Sequence, residues 1–228
     1  MGFALLVIFM FVAFGLTTLF RRWIDAPTLF AVAIGCAVNA NIFNPITAPV
    51  ELGSLAFSIE IILYTLFMYT IIVRILDYGY KAGKVMTLTS LAAIVVSAII
   101  ELVSNLATSG FTAGAFKLSA TYLFSCLGTI VGVWVMVLIA IKLRKVNVSS
   151  YVIIPIAIAV SSIIHAVFFY GGYALINWDY SIYSVQKATG TIIGKAVCIG
   201  LSVFCYFINK KFWIPLNLIE KEEINNDN

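Results

Sequence analysis

Residues 118–145 read LSATYLFSCLGTIVGVWVMVLIAIKLRK, in which no charge interrupts Leu118–Ile141 and three of the next four residues are basic (Lys142, Arg144, Lys145). About 20 mainly apolar residues are enough to cross roughly 30 Å of hydrocarbon as a helix. Basic residues directly after such a run mark the side of the membrane on which it stops. Outward from this stretch the same unit recurs along the chain. Apolar runs near Gly2–Phe20, Pro27–Phe43, Gly53–Leu76, Val85–Leu106, Tyr151–Leu175 and Gly190–Ile208 bring the expected spans to seven.

The composition agrees with that reading. Of 228 residues, 62% are hydrophobic and 11% charged, and the mean hydropathy is +1.07. A soluble domain carries about 25% charged residues, so a water-soluble core is a poor alternative. Little chain lies outside the apolar runs, which leaves no room for a separate soluble catalytic domain. The four cysteines (Cys36, Cys126, Cys198, Cys205) fall within apolar runs and form no C-x-x-C pair. With a single histidine they do not make a zinc-type cluster, so no metal or other cofactor is expected. The net charge of +4 comes from loops and suits anionic lipid headgroups rather than nucleic acid.

Orientation follows from Lys and Arg alone. The first, third and fifth gaps and the C-terminal tail hold Arg21, Arg22, Arg74, Lys81, Lys84, Lys142, Arg144, Lys145, Lys210, Lys211 and Lys221. The remaining gaps hold only Lys117 and Lys187, so the N-terminus is expected outside and the C-terminus inside. Arg21 and Arg22 after the first run, with no basic stretch before it, make that run a signal anchor rather than a cleaved signal peptide. Residues 1–25 thus read as an anchor helix, 26–212 as a six-helix transporter-like core and 213–228 as a cytoplasmic tail. The expected fold is an all-α polytopic membrane bundle in the cell membrane. Trp23, Tyr78, Tyr80, Trp178, Tyr180, Tyr183, Phe212 and Trp213 near span ends suit the headgroup zone. The pairs Ala33/Ala37 and Gly128/Gly132 are spaced to let helices approach closely.

Ionisable groups inside spans each raise a functional question, because insertion costs them at least about 2.5–3.5 kcal/mol. Here they are Glu60, Glu101, His165 and Lys195, with the polar Asn39, Asn41 and Asn105. The expected orientation puts all seven in the outer half of the membrane. Glu60 lies about seven residues, or about 10 Å, into its span. Tyr64 shares a helix face with Glu60, and Asn105 shares one with Glu101. A polar cavity open to the outside accounts for the clustering. Paired structural bridges, or snorkelling to the headgroups, are the plainer alternatives. Two carboxylates, amides and nearby aromatic rings (Tyr64, Phe168, Phe169, Tyr170) suit a small planar heterocycle rich in N–H donors.

Two stretches resemble the vitamin uptake, or queuosine precursor transporter, family. That family carries an Asn near the end of an early helix, then a helix ending acidic-x-x-x-Glu/Arg-x-x-Gly. Here these read Asn41-Ile-Phe-Asn-Pro and Tyr69-Thr70-Ile-Ile-Val73-Arg74-Ile-Leu-Asp77-Tyr78-Gly79. Its later polar-aromatic helix and final Lys-bearing helix match Ser161-Ser162-Ile-Ile-His165-Ala-Val-Phe168-Phe169 and Gly194-Lys195-Ala-Val-Cys198. The helix-end acid is Thr70 here, with Asp77 displaced from it, and the later family aspartate is His165. The resemblance implies import of a 7-deazaguanine precursor of queuosine. The core also resembles the substrate-binding subunits of energy-coupling-factor vitamin transporters, which present an Ala-x-x-x-Ala face, here Ala33–Ala37, to a partner. No G-x-x-x-x-G-K-[ST] motif is present, so any ATP dependence would come from an energising partner complex. The competing classes are a membrane-embedded enzyme and a non-transporting scaffold. An enzyme is disfavoured by one His, no H-E-x-x-H motif and only the common Ser161/His165 spacing.

Overall fold

The computed structural model describes residues 2–23, 29–38, 50–52, 55–57, 59–110, 112–178 and 182–212. Its helices are α1 (Gly2–Trp23), α2 (Leu29–Val38), α3 (Glu60–Ser109), α4 (Ala113–Lys145), α5 (Ser150–Asn177) and α6 (Ile182–Phe212). Four are long and apolar enough to cross a membrane, and the apolar parts of α1 and α2 are shorter. The protein is a helical membrane protein.

The first part of α3 is the shaft of the bundle. Every side chain from Glu60 to Val73 is buried, so this segment is covered on all sides by other helices. A helix that is apolar all round is stable only in such a position. Thr65 and Thr70 sit there because their hydroxyls donate to the carbonyls of Ile61 and Phe67, both at 2.7 Å. Helices α4, α5 and α6 pack around the shaft.

Fifty residues of straight helix would measure about 75 Å, more than twice the hydrocarbon thickness. The chain breaks at Gly79, whose φ of 85° and ψ of −179° are essentially reserved for glycine. After the break Gly83 lies so close to Ile75 that an added methyl would strike its side chain. Eight residues along an unbroken helix would separate them by about 12 Å, so α3 doubles back into two limbs. The second limb is one-sided. It buries Met86, Ser90, Ile94 and Ala98 at every fourth position and leaves Val96, Ile99, Ile100 and Val103 exposed as a lipid-type face.

Helices α4 and α5 form an antiparallel pair joined by a short turn at Asn147, a left-handed residue (φ 58°). Their closeness follows from Gly128 and Gly132. A Cβ on Gly128 would lie 2.7 Å from Phe168 Cβ, and one on Gly132 would lie 2.9 Å from Ser161 Oγ. The expected small-residue contact therefore exists, and it seats α4 on the turns of α5 that carry Ser161 and His165.

Helix α1 docks on this core. Phe14 is buried with its ring 6.0 Å from that of Tyr69, Met10 meets Cys198, and Leu5, Ile8, Phe11 and Leu16 point outward. Ala33 and Ala37 are fully buried in the hydrophobic core. That face is covered within the chain, contrary to its expected exposure to a partner subunit.

One boundary is corrected. The third span was expected to begin at Gly53, but Val50–Leu52 and Leu55–Phe57 pair as an antiparallel two-stranded hairpin, and the helix starts at Glu60. Two residues, Gly53-Ser54, separate the strands in the sequence, a short Gly-first connection of the kind that favours hairpins. Mean hydropathy reads such an apolar hairpin as more span.

The bundle has two unlike poles. At one, Lys210 pairs with Asp77 at 3.1 Å, Arg144 donates to the Ile75 carbonyl, and Arg74 lies 3.9 Å over the Tyr78 ring. Toward the other lie Glu60, Tyr170 and Thr191. Between the poles, Ile71, Ile72, Val133, Met136, Ile154 and Ile158 form a buried apolar layer.

Candidate functional site

Glu60 opens α3 and is 5% exposed. The start of a helix carries the positive end of its dipole and unsatisfied N–H groups, which favours a carboxylate there. Glu60 therefore sits at the mouth of its helix rather than two turns inside it as the sequence suggested. One turn on, Tyr64 is almost wholly covered, and its ring centroid lies 4.4 Å from that of His165 on α5. Lys195 reaches the same point from α6. Its Nζ lies 3.3 Å from His165 Nδ1 and donates to the Ser162 carbonyl at 3.4 Å. Glu60 lies within electrostatic range of Lys195, Tyr64 and Tyr170. Four of the expected residues, Glu60, Tyr64, His165 and Lys195, are thus one cluster built by three helices.

Helix α4 supplies members that were not expected. Ser125 Oγ lies 3.5 Å from His165 Nε2 and 3.3 Å from the Tyr64 hydroxyl, and Thr129 Oγ1 lies 2.9 Å from that hydroxyl. Above them, Tyr170 and Thr191 share a hydrogen bond at 2.5 Å. Phe169 stacks parallel to His165 with centroids 6.0 Å apart, and Tyr170 meets Phe169 edge-on. The signal for the α4 members was in the sequence. Ser125, Gly128, Thr129 and Gly132 recur at i, i+3, i+4 and i+7, which places a small and hydroxylated stripe on one face.

Hydrogen-bond roles follow from the donor inventory. Lys195 has only donors, so His165 Nδ1 accepts and the ring proton sits on Nε2, facing Ser125. The Thr129 hydroxyl also lies 2.9 Å from the Ser125 carbonyl. If its single proton goes there, Tyr64 donates to Thr129. The result is a continuous chain Lys195–His165–Ser125–Tyr64–Thr129 running through α6, α5, α4 and α3.

Glu101 and Asn105 belong to a different place. They lie on the second limb of α3, where Asn105 hydrogen-bonds to Tyr122 and Glu101 acts electrostatically on Tyr122 and Cys126. The sequence placed them in one cavity with Glu60 and His165, whereas their partners here are Tyr122, one turn along α4 from Ser125, and Cys126, next to it. Asn39 and Asn41 lie outside the described residues. Of the resemblance motif, Arg74, Asp77 and Gly79 serve the opposite pole and the chain break, and Thr70 bonds within its own helix. Ser161, expected to share a face with His165, packs against Gly132, and its hydroxyl has no partner among the described residues. No group of His, Cys, Asp or Glu suited to holding a metal occurs among the described residues.

Comparison of the chain with family models, curated proteins and solved structures gives no match.

Proposed function

We propose that this chain is a small-solute uptake protein of the cell membrane, which binds a planar nitrogen heterocycle at the Glu60–Tyr64–His165–Lys195 cluster. The observation that carries the reading is the convergence of a carboxylate, an ammonium, an imidazole and stacked aromatic rings from three helices, away from the basic pole. In this reading the seven apolar segments all span the membrane, the two limbs of α3 counting as two. The pole with Arg74, Arg144 and Lys210 faces the cytoplasm by the positive-inside rule, and the cluster faces outward. Glu60 accepts paired N–H donors of the solute, and Tyr64, Phe169 and Tyr170 offer ring faces. The family resemblance names a 7-deazaguanine or vitamin-like solute, and ATP-driven uptake would need a partner complex.

The same cluster argues against hydrolytic chemistry. A serine–histidine pair works when a carboxylate at the far ring nitrogen stabilises the imidazolium. Here the ammonium of Lys195 occupies that position, which opposes proton capture from Ser125. A second reading, a scaffold whose polar core fixes helix register, is favoured by the depth of burial and by the mutual bonding of these side chains. Uptake of radiolabelled 7-deazaguanines, purines and water-soluble vitamins by cells expressing wild type, Glu60→Gln and Lys195→Ala separates the two. Transport of one class, lost in both variants at equal surface expression, supports the solute reading. Equal background uptake throughout, with variants that assemble poorly, supports the scaffold.

A further inference from the structure

We infer that Lys195 and His165 form a one-charge couple at the heart of the bundle, in which protonation of His165 displaces the Lys195 ammonium toward Glu60. The two nitrogens are 3.3 Å apart, and both side chains are covered to within 4% of their surface. Two cations at that distance in a shielded interior repel strongly, so the pair holds one positive charge and not two. Glu60 supplies the balancing negative charge. The ionisable groups that face the couple, among the described residues, are Glu60 and Tyr64 on α3 and Cys198 on α6. Cys126 on α4 acts on Tyr64, and Tyr170 on α5 is acted on by Glu60, each one residue removed from the couple. Met10 of α1 and Phe57 of β2 approach without an ionisable group.

The proton step is simple to balance. A hydronium ion gives its proton to His165 Nδ1: one O–H bond breaks to leave water, one N–H bond forms, and the imidazole becomes an imidazolium. Nδ1 then donates, so it can no longer accept from Lys195, and the ammonium is driven from the ring. The charge that draws it is Glu60. On the solute reading above, this carboxylate is also the solute's anchor, so proton and solute compete for the site. That consequence rests on the solute reading; the couple itself does not.

His165 is the only histidine in the chain, so 15N-histidine labelling gives one imidazole, observable in ligand-free protein in nanodiscs. The expected wild-type spectrum at neutral pH is a neutral ring with its proton on Nε2. Mild acidification that leaves this ring neutral is expected to protonate it in Lys195→Gln, where the competing cation is gone. Lys195→Arg, which keeps the charge, is expected to behave as wild type. A wild-type ring protonated on Nδ1 would overturn the couple, because Lys195 could not then donate to it. Identical titration of His165 in wild type and Lys195→Gln would overturn it as well. If Lys195→Gln does not fold, the wild-type tautomer still decides. No solute enters the experiment, so its failure is distinct from failure of the uptake reading.

Discussion

At the residue scale, the account turns on Glu60. Its carboxylate is held at a helix start within electrostatic range of Lys195, and in the proposed reading it accepts the solute's N–H donors. Hydrogen bonds to charged groups contribute about 1.5–3 kcal/mol. Glu60→Gln is therefore expected to weaken solute binding about 10- to 100-fold, measured by equilibrium binding to purified protein, while the fold survives. Unchanged affinity would remove Glu60 from the site. The sequence exposed this residue, along with Tyr64, His165 and Lys195, because ionisable groups stand out in apolar runs. It did not expose Ser125 or Thr129 as readily, since hydroxyls within spans usually bond back to their own helix, as Thr129 also does with Ser125. Nor could the sequence show that Glu101, on the second limb of α3, meets Tyr122 and Cys126 rather than His165. Spacing shows which residues share a helix face, but where the helix begins and which neighbour that face meets depend on packing.

At the element scale, two glycines set the geometry. Gly79 holds a backbone conformation that side chains strongly resist, and the reversal of α3 depends on it. Gly79→Ala is expected to cost about 1–3 kcal/mol, read as a lowered denaturation midpoint in detergent. A neutral effect would mean that the break does not depend on this torsion. Gly128 lets α5 press His165 toward Ser125. Gly128→Val is expected to cost about 1–3 kcal/mol by overpacking and to disturb the His165 signal, whereas Gly15→Ala, with open space around it, should do neither. The apolar runs of α4, α5 and α6 were legible in outline because length and hydropathy suffice for them. The hairpin before α3 was not, because its residues are as apolar as a span and differ only in local pairing.

At the scale of the whole molecule, the opposition of a basic pole and a polar cluster ties orientation to function. All four cysteines are buried, which favours a low background in thiol labelling. Val146 in the α4–α5 turn is 70% exposed. Val146→Cys is expected to resist a membrane-impermeant maleimide in intact cells and to react after permeabilisation. Labelling in intact cells would invert the topology and turn the cluster toward the cytoplasm. The most direct test of the central claim is the thermal stability of purified protein against 7-deazaguanines, purines and water-soluble vitamins. A ligand that binds the native state must stabilise it. The account predicts a saturable rise in Tm with one class of planar heterocycle, abolished by Glu60→Gln. No shift with any of them, from folded protein, would contradict it and leave the buried polar cluster as the fastening of a scaffold.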